Sequence, residues 1–508
     1  MNARAAALIG RAGVVSGLVR RHPLALALSL GLVLRLIAAQ SRSLQYDDTF
    51  SIFLAQRSLP EILSGTAADT MPPLYYILLH FWMLVSQEAW YIRLLSVLLN
   101  LVSVALFYQA AKRWLGESAA GWAALLAAIS PLMIYHGQDV RMYALLVASL
   151  AGYLLFFTRL YHTEGRARRG DWLGLVLCAA AAMYTHNVAV FALGVPDLFL
   201  LLRRDWNRLF RLILAQVAAV VLALPWLVLI PGQIAKVQKA WTLPQPGIAE
   251  VIQAMVMFVA ALPLPVPLLA VALLITLQIL VMVIMELRRL RSEKDTRPGV
   301  LFFAILLLMP PALLFAASYV MQPIFVPRTF LVSTLGLDAL AGLVIARTWE
   351  RGVGKAIAVG FVLAALLTLP SFYTFNVFPR SPYKAMTEHL ETQAQPDVRI
   401  IHETKLSYFP ARYYKPDLAQ VFLADPKGSP NDTFEPGSQQ AMQIFPQPGL
   451  EQAAEGADTV YFITFTQTFR EYEDMGLAES PNLAWLNAHY TLAGKQIFND
   501  LEVYRYTR

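Results

Sequence analysis

Leu44-Gln45-Tyr46-Asp47-Asp48-Thr49-Phe50-Ser51 follows closely on an apolar run at 22–40. That run is long enough to cross a bilayer, which takes about 20 residues of helix, and just past it stand two adjacent carboxylates. A charge pair at the mouth of a membrane span costs free energy unless it has a task. Working outward from this point, further apolar runs of crossing length occur near 92–111, 118–135, 140–160, 209–230, 265–286, 299–320, 328–346 and 354–371. The stretch 172–202 is interrupted at Thr185-His186-Asn187 and reads as two tight helices with a short hairpin. The expected fold is therefore an α-helical polytopic membrane protein of about eleven transmembrane helices.

Composition agrees. The chain has 508 residues, of which 57% are hydrophobic and only 15% charged, against about 25% charged in soluble domains. Residues 372–508 hold 11 of the 41 Lys+Arg but 17 of the 34 Asp+Glu, so the excess positive charge lies in 1–371. A basic membrane part fits loops held at an anionic cytoplasmic leaflet and argues against nucleic acid as a partner. Cys178 is the single cysteine, which excludes an intrachain disulfide or a cysteine-based metal site. The basic N-terminus lacks a small-residue cleavage site after 24–39, and the expectation is a retained first helix.

Loop charges orient the chain. With the N-terminus inside, the segments 1–21, 112–117, 159–171, 203–211, 287–298 and 347–355 carry 22 Lys+Arg, and the opposite loops before residue 372 carry seven. This positive-inside bias predicts a multi-pass protein of the plasma or inner membrane with a cytoplasmic N-terminus. An odd number of crossings then places 372–508 outside. Two short apolar stretches, 72–86 and 251–262, would put basic loops on the wrong side if counted as spans. They read as interfacial or re-entrant helices on the outer face, the alternative being that one of them is a short true span.

The chain divides into a membrane domain, 1–371, and an extracytoplasmic domain, 372–508. In the latter, short β-type runs (Val398–His402, 420–423, 459–464, 501–506) alternate with helical pieces (Tyr383–Thr392, 482–490), which predicts a small α/β domain. No internal repeat or nucleotide-binding glycine loop is visible. Asn431-Asp432-Thr433 forms a glycosylation sequon that carries little weight.

Four clusters fall at helix ends on the outer face: Asp47-Asp48; Asp69-Thr70-Met71-Pro72-Pro73-Leu74; Ser130-Pro131 with Tyr135-His136-Gly137-Gln138-Asp139-Val140-Arg141-Met142-Tyr143; and Gln322-Pro323-Ile324-Phe325-Val326-Pro327-Arg328-Thr329. Together they have the parts that chemistry on a lipid-phosphate-sugar demands. The phosphate needs cationic donors, for which arginine is suited; Arg328 and Arg141 are the candidates. An acceptor hydroxyl must lose a proton as it attacks, and a carboxylate is the usual base; Asp47 is the candidate. Each residue also has a plainer reading. Asp47-Asp48 can be a solvated loop pair, Asp139 and Arg141 an ion pair at a helix start, Arg328 a snorkelling side chain, and His186 a satisfied polar residue. Arg35 reads as a structural or lipid-phosphate contact. It is the convergence on one face that favours a site.

These clusters resemble the GT-C superfamily of polyprenyl-phosphate-sugar-dependent glycosyltransferases, nearest to the protein O-mannosyltransferase and lipid A aminoarabinose transferase families, over roughly residues 20–375. The family's acidic pair matches Asp47-Asp48, and its acid ahead of Pro-Pro-Leu matches Asp69 before Pro72-Pro73-Leu74. Arg-Leu-x-Ser matches Arg93-Leu94-Leu95-Ser96. Ser-Pro…Gln-Glu-x-Arg-x-Tyr matches Ser130-Pro131…Gln138-Asp139-Val140-Arg141-Met142-Tyr143. Tyr-Thr-His matches Tyr184-Thr185-His186, and Pro-Trp-Leu matches Pro225-Trp226-Leu227. The chain departs at Asp48 and Asp139, where Glu is usual, at Met71, where many relatives have His, and at Thr329, where an aromatic is common.

The resemblance implies a helical membrane core and sugar transfer with inversion from a polyprenyl-phosphate donor. Asp47 would be the base with Asp48 beside it, and Arg328 and Arg141 would hold the phosphate. Asp69, Gln138, Asp139, Tyr143 and His186 would shape the sugar and acceptor pocket. No cofactor is required on this reading; a divalent cation is the alternative, which no motif indicates. The acceptor would be a protein, glycolipid or cell-wall polymer. Two other readings compete. A lipid-sugar flippase would bind at the midplane through inverted repeats, which the sequence lacks. A sensor built on 372–508 would lose everything on truncation of that domain, whereas an enzyme is expected to keep its Asp47-dependent chemistry or donor binding.

Overall fold

The computed structural model describes residues 22–165, 167–234, 244–290, 295–321, 323–374, 380–393, 398–425, 433–474 and 479–508. Gln322, the sequon residues Asn431 and Asp432, and the basic segment 1–21 lie outside them.

The first apolar run forms α1 (Pro23–Leu36). The acidic pair does not lie in a loop: it opens α2 (Tyr46–Ala55), which is followed by α3 (Leu59–Ala68) and α4 (Leu74–Met83). Local chemistry starts two of these. The Asp48 carboxylate accepts the Gln45 N–H at 3.0 Å, and the Glu61 carboxylate accepts the Ser58 N–H at 2.9 Å. Both are side-chain caps on N–H groups that a helix start leaves unpaired. A ten-residue helix is about 15 Å long, half a hydrocarbon core, so α4 lies short of a span, as its sequence leads one to expect.

The bundle continues with α5 (Ala89–Leu115), α6 (Glu117–Ile129), α7 (Pro131–Gln138), α8 (Tyr143–His162), α9 (Arg169–Met183), α10 (Ala189–Leu193), α11 (Val195–Arg203) and α12 (Trp206–Leu227). Then come α13 (Ile248–Met257), α14 (Val266–Arg289), α15 (Arg297–Val320), a 3₁₀ turn (Pro327–Phe330), α16 (Ser333–Thr348) and α17 (Val353–Thr374). Among the described residues six helices, α5, α8, α12, α14, α15 and α17, are long and apolar enough to cross a membrane. The pair α6–α7, bent by 55°, makes a seventh if it is one span. The other runs expected to cross form shorter helices, among them α1, α9 and α16. The break expected at 185–187 is present between α9 and α10. The chain is a multi-pass membrane protein.

Small residues set the tightest helix contacts. A Cβ on Gly342 would come within 2.7 Å of the backbone of Ala119 and Ala123, and one on Gly336 within 2.6 Å of the Leu307 nitrogen. Helix α16 is thus wedged against α6 and α15 at distances only glycine permits, the packing mode of helices in lipid.

The C-terminal domain begins after α17 with α18 (Tyr383–Thr392), β1 (Val398–His402), α19 (Lys405–Tyr414), β2 (Gln420–Phe422), α20 (Pro436–Met442), α21 (Leu450–Ala453), β3 (Thr459–Phe465), α22 (Thr466–Asp474), α23 (Pro481–His489), β4 (Thr491–Phe498) and β5 (Leu501–Thr507). The sheet order is β2-β1-β3-β5-β4, with β1 parallel to β2 and β3, and β5 antiparallel to β3 and β4. The expected α/β domain is present, enlarged by β4, an exposed edge strand absent from the sequence reading.

The two domains interlock. Phe50, Leu54, Ile62 and Tyr76 of α2, α3 and α4 share one apolar cluster with Tyr408, Phe409, Phe422 and Phe434 of the C-terminal domain. Phe409 packs edge-on against Tyr46 at 5.2 Å, Phe53 at 5.6 Å and Phe434 at 5.3 Å. Hydrogen bonds add to it: the Leu44 N–H donates to the Tyr414 hydroxyl at 2.7 Å, and the Lys384 N–H to the Ser43 hydroxyl at 3.0 Å.

Candidate active site

The connector between α1 and α2 is held from below. Buried Arg93 on α5 donates to the carbonyls of Ala39 at 2.6 Å, Arg42 at 2.7 Å and Ser43 at 3.2 Å. Gln138, expected in the sugar pocket, serves the same scaffold instead. Its amide donates to the carbonyls of Arg35 and Ile37 at 2.6 and 2.9 Å, and its oxygen accepts from Arg42. These carbonyls end α1 and need donors. Arg35 is wholly buried and structural, bonded to Asn100 and to the carbonyls of Gly31 and Ala128.

Asp48 works as a strut. Besides capping α2, it accepts the Val140 N–H at 2.8 Å and so ties α2 to the α7–α8 loop. Burial, and the neighbouring Asp139 carboxylate, push its pKa up, against the charge of Arg93. Asp139 pairs with His136 at 3.0 Å, and His136 packs on Tyr143 with ring centroids 4.9 Å apart. The sequence reading that paired Asp139 with Arg141 is replaced by this contact.

A second wall is built from the loop 184–188. The Leu74 N–H donates to the Tyr184 carbonyl at 3.1 Å, the Asn187 amide to the Thr70 carbonyl at 2.9 Å, and the Trp226 indole to the Asn187 oxygen at 3.2 Å. The Pro-Trp-Leu and Tyr-Thr-His elements thus act together through Asn187, fixing the loop that carries His186. The Val188 N–H donates to His186 Nδ1 at 3.3 Å, so in the neutral ring the proton sits on Nε2 and is available as a donor. Burial, with the charges of Arg141 and Arg328, holds the imidazole pKa down to about 3. His186 also lies against Tyr143, at 6.1 Å. Asp69 follows α3. Burial pushes its carboxyl up to about 6, Asp47 and Glu435 adding to the effect and Arg141 opposing it.

Asp47 stands between these walls. Water reaches its side chain, yet enough protein surrounds it that burial is the largest influence on its pKa and acts upward. The guanidiniums of Arg141, Arg328 and Arg380 outweigh it and hold the carboxyl below its ordinary value. A group both wetted and enclosed lines a concavity. Among the described residues the Asp47 carboxylate accepts no hydrogen bond, Arg328 makes no hydrogen bond or ion pair, and the buried Arg141 Nε has no partner. Arg141 reaches the Tyr76 hydroxyl at 3.5 Å, and the acidic surroundings strengthen its charge. Arg380, which no motif pointed to, enters from the start of the C-terminal domain with its guanidinium 5.3 Å from the Tyr135 ring centroid.

The structure therefore brings together Asp47, Asp69, Arg141, Tyr143, His186 and Arg328, with Asp48 and Asp139 behind them and Gln138 beneath. The result is an ionised, unbonded carboxylate facing guanidiniums with unused donors. Among the described residues no group of three or more His, Cys, Asp or Glu side chains could hold a metal ion.

Residues 70–230 match the family model of dolichyl-phosphate-mannose-protein mannosyltransferases. That span carries Arg93, Arg141, His186 and Trp226, and leaves out Asp47 and Arg328. Of solved structures, ArnT from Cupriavidus metallidurans in the apo state is similar at 15% identity, with 95% of this chain and 97% of that chain covered and a TM-score of 0.63. The two share a fold. ArnT bound to undecaprenyl phosphate aligns over the same shares with a TM-score of 0.62. The Archaeoglobus fulgidus oligosaccharyltransferase complexed with Zn and sulfate is similar in fold more distantly, at 13% identity and a TM-score of 0.51, over 95% of this chain and 72% of that one. Comparison with curated proteins finds no similar sequence.

Proposed function

We propose that this protein is an inverting glycosyltransferase of the cell membrane, moving a sugar from a polyprenyl phosphate to an acceptor on the extracytoplasmic face. The observation that carries the reading is Asp47, a carboxylate kept ionised by three arginines and bonded to none of its surroundings. In the reaction an acceptor hydroxyl attacks the anomeric carbon from the side opposite the phosphate. Its proton passes to Asp47, and the bond from that carbon to the phosphate oxygen breaks, releasing polyprenyl phosphate. The phosphate already leaves as a stabilised anion, so the cations Arg141 and Arg328 suffice on the leaving side and no general acid is needed. Neutral His186 donates from Nε2 to a sugar hydroxyl or phosphate oxygen, and Asp69 and Tyr143 complete the sugar pocket. The ArnT structure bound to undecaprenyl phosphate supports the class of donor, and the positive-inside charge pattern supports the outward orientation of the site and the C-terminal domain.

Radiolabelled polyprenyl-phosphate sugars incubated with membranes containing wild type or Asp47→Asn provide the test. One sugar should be transferred by wild type, with a loss of roughly 10²–10⁴-fold in the variant, the scale of a general base, at equal protein level. No sugar released from any donor by the folded wild type would sink the transferase reading.

A further inference from the structure

Four arginines and one carboxylate stand within nine residues at the turn between α11 and α12: Arg203, Arg204, Arg208 and Arg211 against Asp205. The carboxylate is already engaged. Asp205 caps α12 by accepting the Arg208 N–H at 3.2 Å, and it pairs with the Arg208 guanidinium at 2.6 Å. That guanidinium lies 4.9 Å from the Tyr161 ring centroid, and Tyr161 stacks on Trp114. Arg208 is thus fixed in place. Arg203, Arg204 and Arg211 are exposed, and among the described residues their side chains make no hydrogen bond or ion pair.

Arg204 stands where the backbone favours glycine. Helix α11 closes with the Arg204 N–H on the Leu201 carbonyl and the Asp205 N–H on the Leu200 carbonyl, both at 3.0 Å. In this closure the residue after the helix turns left-handed. Arg204 has a φ of 56°, in a region that a side chain makes costly and glycine enters freely. Among the described residues it is the one cation held so, and strain kept at a position points to a use for the side chain.

The surface beside the turn is apolar and open to lipid. Only 22% of the apolar stretch of α12 is buried in the protein, against 83% of that of α8. Leu201 and Leu202 on α11, and Phe210, Leu214 and Val217 on α12, are between 46% and 62% exposed. Trp206, 61% exposed, opens α12 at the level where aromatic rings mark the membrane boundary. Unpaired guanidiniums on the side where the basic loops gather, continuous with a lipid-facing surface, have the shape of a phospholipid site: forked donors for phosphate and an apolar bed for its chains. Diffuse attraction to anionic lipid is common to every loop on that side; the strained Arg204 belongs to this turn. Four arginines less one aspartate leave three positive charges, so one phosphodiester leaves two uncompensated and a pair of phosphodiesters leaves one. A lipid with two phosphates also carries chains enough for both helices.

We propose that the α11–α12 turn binds the two-phosphate headgroup of a diphosphatidylglycerol lipid, whose acyl chains lie along the two helices. The site is at the far end of α12 from Trp226 and stands independently of the transferase reading. Full-length protein in detergent micelles is titrated with tetraoleoyl cardiolipin, with dioleoyl phosphatidylglycerol at equal charge, and with the chain-free headgroup bis(glycerophospho)glycerol, and bound lipid is counted by native mass spectrometry. Cardiolipin should bind saturably and about ten-fold or more tightly than phosphatidylglycerol, the worth of an added set of charge-assisted contacts. The triple variant Arg203→Gln/Arg204→Gln/Arg211→Gln should lose that preference. Arg168→Gln/Arg169→Gln, which removes exposed cations from the neighbouring loop, should keep it. Arg204→Gly should weaken cardiolipin binding while melting no earlier than wild type, since glycine suits the backbone there, and this separates lost recognition from lost fold. Equal affinity for the two lipids, an undiminished preference in the triple variant, or an equal loss in the Arg168/Arg169 variant overturns the site in favour of diffuse charge. Headgroup binding as tightly as the whole lipid overturns the lipid-borne source.

Discussion

At Asp47 and Asp48, neighbours in sequence, helical geometry sends two identical side chains to different work. Asp48 turns inward, and both of its oxygens are taken by backbone N–H groups; Asp47 faces the concavity with both oxygens free. The sequence marked the pair but held no information on which member faced where, because that depends on the Val140 N–H arriving from a distant loop. Arg328→Ala should raise the donor concentration needed for half-maximal transfer by roughly ten-fold or more, the worth of about 1.4 kcal/mol or above in a charge-assisted contact, with little change in thermal stability. Steady-state kinetics against donor concentration read this directly, and an unchanged dependence would remove Arg328 from the phosphate site. Asp69 supplies the pH dependence. Its carboxyl pKa, raised to about 6, means the folded protein holds a proton that the unfolded chain releases at lower pH. The cost of its buried charge therefore appears as pH rises through about 6. Asp69→Asn should raise the melting temperature at pH 8 and leave it unchanged at pH 4; a gain equal at both values would contradict the origin of that shift. Arg380 was illegible from sequence, since it belongs to no motif and reaches the site only through the docking of another domain.

Among the elements, the connector before α2 does most to set the site, and it is held by one side chain. Arg93 gives hydrogen bonds to three successive stretches of carbonyl there. Lysine brings the charge but not the planar, forked donors, so Arg93→Lys should unfold several degrees earlier and transfer more slowly with donor affinity less affected. A differential scanning measurement paired with kcat and KM decides it; a variant indistinguishable from wild type would mean the connector holds itself. The elements that sequence made legible were those with a strong period or a strong stop. The interruption at Thr185-His186-Asn187 and the short runs that became α4 and α13 are examples. Strand β4 was not legible because its pattern is exposed, exposed, exposed and then mixed, with no buried face to impose alternation. The hairpin turns at Asn499, which has a φ of 55°. Several crossing-length runs became shorter or bent helices because Pro, Gly and polar residues at their ends cut the ladder sooner than hydropathy does.

At the scale of the molecule, the sequence reading separated a catalytic membrane part from an accessory domain, and the structure joins them. Phe409 is wholly buried among aromatic rings of α2 and its neighbours, so the helix that bears Asp47 is packed on one side by the C-terminal domain. Truncating a buried phenylalanine costs about 3–5 kcal/mol. Phe409→Ala should lower transfer sharply while the bundle helices stay inserted, as judged by protease protection in membranes. A chain lacking the C-terminal domain also lacks Arg380 and Phe409, so its truncation is expected to lower Asp47-dependent transfer more than donor binding. Full activity in the Phe409 variant would show that α2 needs no support from that side.

The same interlock dictates when the enzyme becomes competent. Asp47 is synthesised early and Arg380 and Phe409 late, and domains fold in order as the chain emerges. A nascent chain still at the ribosome has inserted its bundle while its carboxylate lacks the third arginine and the aromatic seat. On the function proposed above, it is the folding of the last domain that completes the site's set of cations and the packing of the helix bearing Asp47.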